Sequence, residues 1–268
     1  NTVQIVLIIV LAVVVAALLF FVIKNMIMPK RVDAIPHFLK QGKSQNAIKI
    51  AKQIIAKDPN NCLAHYYLGK AYILENKSEL AIIEYKFVDE HALFGAELNE
   101  INFRKEFSSL LLKYKHQNEA LKNFLLLTKL EPRNAENYFN VGLIYENNNR
   151  FDLALGFMQK AAYLDNKHAK AHAEIGMMFY RTKQYSEAKK EIDIAIKLSP
   201  ETYSSYYYLG KILKDAKDIA GALKAFEKAQ RDSDFKQKAI IEHGSCYLLA
   251  NRIDNAIVDF IRAIEIDK

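Results

Sequence analysis

The stretch Ala135–Asn166, AENYFNVGLIYENNNRFDLALGFMQKAAYLDN, reads as two short helices joined by a polar turn. Gly142 lies in the first apolar-periodic run and Ala154 and Ala161 in the second, while Asn147-Asn148-Asn149-Arg150 interrupts the pattern between them. The same small residues recur at a spacing of 34: Gly142, Gly176, Gly210 and Gly244; Ala154, Ala188, Ala222 and Ala256; Ala161, Ala195, Ala229 and Ala263. Large residues keep that register, with Tyr145, Phe179, Leu213 and Tyr247 three after each Gly. Phe151, Tyr185, Ile219 and Ile253 stand three before each first Ala. A fixed period of this length marks stacked repeats, each one supersecondary unit. Small residues let a neighbouring helix approach closely, and large ones a turn away fill the space left over. Pro132 and Pro200 share one repeat position and stop or start helices there.

Carried outward, the register places units at 62–95, 101–134, 135–168, 169–202, 203–236 and 237–268. The first of these carries Leu68, Gly69, Tyr72 and Ala81 in phase. A partial unit at about 35–61 has Ala47 and Pro59 in phase and a first helix shortened by Pro36. This pattern resembles the tetratricopeptide repeat. The resemblance implies an all-α chain: a right-handed superhelical solenoid of helix-turn-helix repeats over residues 35–268. Gly69 to the equivalent Ser108 is 39 residues, so five extra residues sit near His91–Glu100. Arg104, Phe107 and Ser108 stand where the family prefers an aromatic, Leu and Gly; drift at a tolerant position is the expectation, a kink or binding feature the alternative. The last unit ends at Ile266-Asp267-Lys268 without a helix to cover Ile257, Phe260 and Ile264. Solenoids need capping, so further chain, a partner or a second copy (a homo- or hetero-oligomer) is expected on that face.

Ahead of the repeats, Ile5 to Ile23 is a run of 19 apolar residues without charge, Pro or Gly. At about 1.5 Å per residue it matches the ~30 Å hydrocarbon layer and exceeds a signal-peptide core. Residues 1–23 are therefore expected to be a transmembrane helix, with 24–34 a basic linker in which Lys24, Lys30 and Arg31 meet anionic headgroups. The chain opens on Asn1, so upstream residues are expected. Of the net charge of +7, residues 24–61 carry +6, leaving the repeats nearly neutral. A nucleic-acid partner would need positive charge along the whole solenoid. The basic flank places the repeats on the cytoplasmic side of a bacterial inner membrane, with the periplasmic side the close alternative.

No phosphate-cradling Gly loop, nucleophile elbow or zinc-spaced Cys/His set occurs in the sequence, so neither an enzyme, a cofactor nor a metal is expected. Cys62 and Cys246 read as independent helix residues. His168 and His172, four apart, read as surface histidines, and Glu187 and Glu191 as a solvated face.

The resemblance implies binding of other proteins or peptides in a groove lined by each unit's first helix. In unit 62–95 and the next, that selects Tyr66, Lys70, Lys105 and Ser109. Beyond them it selects Phe139, Leu143, Ala173, Met177, Tyr207, Lys211, Ile241 and Ser245. The mixture of apolar and basic groups suits a peptide with aromatic or aliphatic anchors and some acid. Chaperone-binding members clamp a C-terminal carboxylate; Lys105, Asn140 and Lys170 match that layout. Ser109 and Glu174 replace its Asn and Arg, and Glu174 would repel a carboxylate, so the clamp is expected to be absent. The implied role is a membrane-anchored scaffold or adaptor, similar to envelope adaptors with one N-terminal span, although their metal-binding Cys module is missing. A structural part of a periplasmic machine, such as the spirochaete flagellar collar, is the second reading. The third is the regulatory arm of an enzyme whose catalytic part lies outside this chain.

Overall fold

The computed structural model describes residues 32–266. After a short 3-10 turn at Val32–Ala34, the helices are α1 Ile35–Lys40, α2 Ser44–Ile55, α3 Cys62–Leu74, α4 Ser78–His91 and α5 Glu100–Lys113. They continue as α6 Gln117–Leu130, α7 Ala135–Asn147, α8 Phe151–Leu164, α9 Ala169–Arg181 and α10 Tyr185–Leu198. The last four are α11 Tyr203–Asp215, α12 Ile219–Ala229, α13 Lys236–Leu249 and α14 Ile253–Glu265. The expected span over residues 1–23 and the basic Lys24, Lys30 and Arg31 lie outside the described residues. Among the described residues, no helix is long and apolar enough to cross a membrane.

The described residues fall into two compact units, divided after Lys115. The division falls inside the 101–134 repeat, whose first helix carries Ser108 in place of the register Gly. In the first unit, α1 packs on α2, α2 on α3, α3 on α4 and α4 on α5. In the second, α6 packs on α7, and the hairpins α7/α8, α9/α10, α11/α12 and α13/α14 stack in sequence, with α9 against α11 and α11 against α13. Each unit is thus a helical-repeat stack.

The turns inside the hairpins share one geometry. Gly42, Asn76, Lys115, Asn149, Lys183, Lys217 and Asn251 all adopt positive φ, between 56° and 69°. The next amide then reaches back five residues, as in Lys77 N to Tyr72 O (2.8 Å), Arg150 N to Tyr145 O (2.8 Å) and Gln184 N to Phe179 O (2.8 Å). This closure satisfies carbonyls that the helix end would leave orphaned. Five helices are capped by a side chain: Asn61, Asn99, Asn134, His168 and Asp218 each accept from an amide of the first turn. Within hairpins the small residues form the contact line: Ala154, Ala161, Ala188, Ala195, Ala222 and Ala229 are fully buried. At Gly176 an added Cβ would lie 2.6 Å from Ile192 Cγ1 and 3.1 Å from the Ala188 carbonyl oxygen.

Two expectations change here. Residues 91–100 and their neighbours are not drift in a tolerant position. Arg104 is buried, with Nε donating to Glu100 Oε1 (2.7 Å) and Nη1 to Asp89 Oδ1 (2.8 Å). Its guanidinium lies 5.3 Å from the Phe94 ring of the inserted segment. Phe94, Phe103, Phe107, Tyr85 and Tyr66 form a continuous aromatic core, with ring centroids 5.4–6.2 Å apart. The large residues at 103, 104 and 107 are therefore matched to the insertion.

The second change concerns His168, His172 and Glu191, read as surface residues. The His172 and Glu191 side chains keep 12% and 23% of their exposure and meet at 2.6 Å (Nδ1 to Oε2), joining α9 to α10. His172 Nε2 also lies 3.3 Å from the Asn166 carbonyl oxygen in the turn before its helix. His65 repeats the arrangement, 2.5 Å from Glu84 and 3.0 Å from the Pro59 carbonyl oxygen. His168 caps α9 through Ala171 N (3.2 Å) and contacts Glu136 (3.2 Å). These imidazoles staple hairpins and turns, using ring nitrogens that a metal would need.

Candidate functional site

In the first unit the last turns of α1, α3 and α5 surround an open cavity of about 820 Å³. The length of α1 decides part of its shape, because Pro36 sits in the first turn and the helix ends at Lys40 after six residues. Leu39, Ile73, Leu74 and Leu110 supply apolar wall, and Tyr67 and Tyr85 aromatic wall. Lys40, Lys70, Lys105 and Lys113 bring positive charge to the lining.

The floor is a polar network centred on Glu106. Its carboxylate lies 2.9 Å from Lys70 Nζ and accepts from the hydroxyls of Tyr66 (3.2 Å) and Tyr85 (3.1 Å). Lys70 Nζ also sits 4.8 Å from the Tyr66 ring. Burial, reinforced by the Glu106 charge, pushes the Tyr85 phenol well up from its ordinary value. Burial likewise pushes the Tyr66 phenol up, opposed by Lys70. Both remain hydrogen-bond donors at neutral pH, locking the carboxylate.

Of the residues expected in the groove, this cavity gathers Lys70, Lys105 and Ser109. The Ser109 hydroxyl donates to the Lys105 carbonyl (2.8 Å) and the residue stays exposed. Tyr66 is buried beneath them as floor. Glu106, Tyr85, Ile73, Leu74, Lys40 and Lys113 were not foreseen. Lys40, Leu74 and Lys113 hold equivalent places at the ends of three successive first helices, one turn past the positions selected from the sequence.

In the second unit the selected residues scatter by burial. Phe139 and Met177 are closed over by their neighbours, Phe139 in a core with Ala154, Met158 and Ile175. Leu143 packs half-buried against the same core, and Ala173 is buried. Ile241 is exposed, and the Ser245 hydroxyl donates to its carbonyl (3.0 Å). Tyr207 and Lys211 are half-buried. Lys211 Nζ lies 5.9 Å and 6.0 Å from the Tyr207 and Tyr180 rings and 3.0 Å from Glu242 Oε1. Lys214 pairs with the other Glu242 oxygen. Burial works to raise the Glu242 carboxyl, but hydrogen bonds from Lys214 and Lys211 outweigh it and hold it below its ordinary range.

Glu174 behaves in the opposite way. Burial first, and the neighbouring Glu146 carboxylate second, push it up to about 7, against the pull of Arg181. Arg181 is committed to Glu146 at 3.5 Å. Asn140, one member of the clamp layout, turns its amide back to the Glu136 carbonyl (2.8 Å). Cys62 and Cys246 are both free thiols. No group of three or more His, Cys, Asp or Glu side chains is placed to hold a metal among the described residues.

Two family descriptions match this chain, both "Tetratricopeptide repeat", over residues 32–86 and 173–236 and over residues 135–168. A similar protein is the BBSome complex member BBS4 homolog of Drosophila melanogaster, 24% identical over 211 residues, or 75% of this chain. The chain spans 41% of that relative's length. Among solved structures, the C-terminal part of a TPR repeat-containing protein from Cytophaga hutchinsonii superposes with a TM-score of 0.65 at 17% identity, covering 89% of this chain and all of that one. YrrB, described as a TPR protein with an unusual peptide-binding site, superposes with a TM-score of 0.58 at 16% identity, covering 69% of this chain and 95% of YrrB. With more than half of its length matched in this way and the hairpins in that register, the chain is a member of the tetratricopeptide-repeat family.

Proposed function

We propose that this chain is a non-catalytic, membrane-anchored scaffold that holds protein partners on the inner helices of its repeats, at the cytoplasmic face of a bacterial inner membrane. Tetratricopeptide repeats mediate protein–protein interactions. The observation that carries the binding half is the open, lysine-bearing apolar cavity of the first unit, in a chain whose other inner side chains are largely used in packing and ion pairs. The anchor rests on the apolar run Ile5–Ile23 and its basic flank Lys24, Lys30 and Arg31.

A photo-crosslinking amino acid placed at Ser109, inside the cavity, is expected to give discrete protein adducts in intact cells. The same group at Tyr163, exposed and outside the cavity, is expected to give none of them. Identical adducts at both sites, or none at Ser109, would count against the reading.

The anchor needs a separate reporter. Cys62 is half-buried with its thiol pushed up by burial, and Cys246 is fully buried, pushed up to about 11. Both are slow targets for maleimide. Leu93 is 98% exposed. A chain with Leu93→Cys, Cys62→Ala and Cys246→Ala is expected to sediment with membranes. An impermeant maleimide should label it only after spheroplasts are opened; labelling in intact spheroplasts would place the repeats outside.

A further inference from the structure

In the second unit, α14 is apolar on a side where the equivalent helices are not. Toward its hairpin partner α13 it buries Ala256, Asp259 and Ala263, with Asp259 held by His243 (2.6 Å) and Arg262 (3.1 Å). Ile253, Ile257, Val258, Ile261 and Ile264 stay 51–62% exposed, at spacings that join them into one stripe along the helix. At steps of 34 before Val258 stand Lys224, Lys190 and Gly156, and before Ile261 stand Glu227, Asp193 and Gln159. All six are exposed, although each of their hairpins carries the next one stacked upon it. A following repeat in the same register would therefore leave positions 258 and 261 in water. Their apolar side chains call for something laid across the outer side of α14.

We infer that the occupant is a second copy of this chain, its α14 lying antiparallel to the first about a two-fold axis near Val258. The charges beside the stripe fit that arrangement. Asp254 and Arg262 stand four residues to either side of Val258, so the axis sets Asp254 of each copy opposite Arg262 of the other. Asp254 is exposed and makes no ion pair among the described residues. Arg262 spends Nη1 on Asp259 and Nη2 on Gln230 (3.3 Å), yet half of its side chain stays exposed and further donors remain. A parallel pair would set Asp254 against Asp254 and Arg262 against Arg262, and would align the two helix dipoles. A membrane surface fits less well, because α14 carries Asp254, Asp259 and Glu265 against Arg262, whereas interfacial helices are rich in basic residues. Two helices of this length make a small interface, of the reversible kind. The inference goes beyond the partner-binding reading above and does not depend on it.

The test is crosslinking of the full chain in intact cells with a permeant bis-maleimide, both native cysteines being replaced (Cys62→Ala, Cys246→Ala). Val258→Cys, at the axis, is expected to give a covalent dimer of the chain. Lys224→Cys, at the equivalent place one hairpin earlier, should give at least about fivefold less. Adding Asp254→Lys or Arg262→Glu to the Val258→Cys chain should lower the dimer yield about fivefold or more, since each sets like charges together. Co-expressing these two charge variants under different tags should restore the yield to within about twofold, because each introduced charge then meets its opposite. Ile261→Ser should lower the yield about threefold or more through lost apolar contact. Adducts with other proteins only, or equal yields from positions 258 and 224, overturn the inference. So does a lack of recovery on co-expression when circular dichroism shows both charge variants folded. Where a charge variant loses helicity, Ile261→Ser decides, and an unchanged yield overturns the inference.

Discussion

Replacing Gly176 with leucine is expected to destabilise the second unit by roughly 3 kcal/mol, a large share of the 5–15 kcal/mol typical of a domain. The substitution has two opposing effects. Removing a helical glycine gains about 1 kcal/mol of propensity. Against this, even the first added carbon would stand 2.6 Å from Ile192 Cγ1, 3.1 Å from the Ala188 carbonyl and 3.2 Å from the Ile192 amide nitrogen. Two of these are backbone atoms of α10, so side-chain rotation cannot relieve the overlap and the helices must separate. Gly156 supplies the opposite sign. It is exposed on α8, and a Cβ there meets nothing within 4 Å. Gly156→Ala should therefore stabilise by about 0.5–1 kcal/mol. Urea unfolding followed by circular dichroism checks both; equal shifts at the two glycines would show that α9 and α10 are not closely packed at this line.

The contrast between Gly176 and Gly156 marks how far the sequence could be read. Gly176 belongs to the period of 34 and Gly156 does not, and their surroundings differ accordingly. Periodicity reports close approach because a contact repeated in every hairpin leaves the same small residue each time. The turns repeat too, yet their positive φ fell on Asn, Lys and Gly alike, so residue type did not announce them. The site was harder to read. Lys70 and Ser109 were found because first-helix positions face inward by register. Glu106 was missed because its role depends on Tyr85 and Tyr66, brought to it from other helices. Lys40 and Lys113 were missed because a charged last turn reads as favourable for a helix C-terminus whatever it faces. Phe139 and Met177 show the converse, since an inward-facing register position can be closed by the next hairpin. His172 and Glu191 lie 19 residues apart, a separation with no helical periodicity to flag their pairing.

Glu174 should make the stability of the second unit fall as pH rises from about 4.3 to about 7. Its carboxyl lies on α9, facing Glu146 of α7, Arg181 of its own helix and Tyr208 of α11, and it titrates at about 7 in the folded chain. In the unfolded chain it returns to the ordinary carboxylate range, near about 4.3. Between those values the native state holds a proton that the unfolded state has released. Raising the pH across this window therefore favours unfolding, and the penalty is complete once pH exceeds the folded value. A shift of this size corresponds to something on the order of 3–4 kcal/mol. Glu146, raised by burial against the pull of Arg181, adds a smaller contribution of the same sign. Glu174→Gln keeps the shape and removes the charge. It is expected to raise the urea midpoint at pH 8, to leave it nearly unchanged at about pH 4, and to flatten the profile between them. An unaltered pH slope in the variant would rule out Glu174 as its source. The same titration bears on the carboxylate clamp. Near neutrality Glu174 carries only part of a negative charge, so its repulsion of an incoming carboxylate is weaker than its residue type implies. The neighbouring polar groups are engaged locally: the Asn140 amide is bound to its own helix, and Arg181 is held by Glu146.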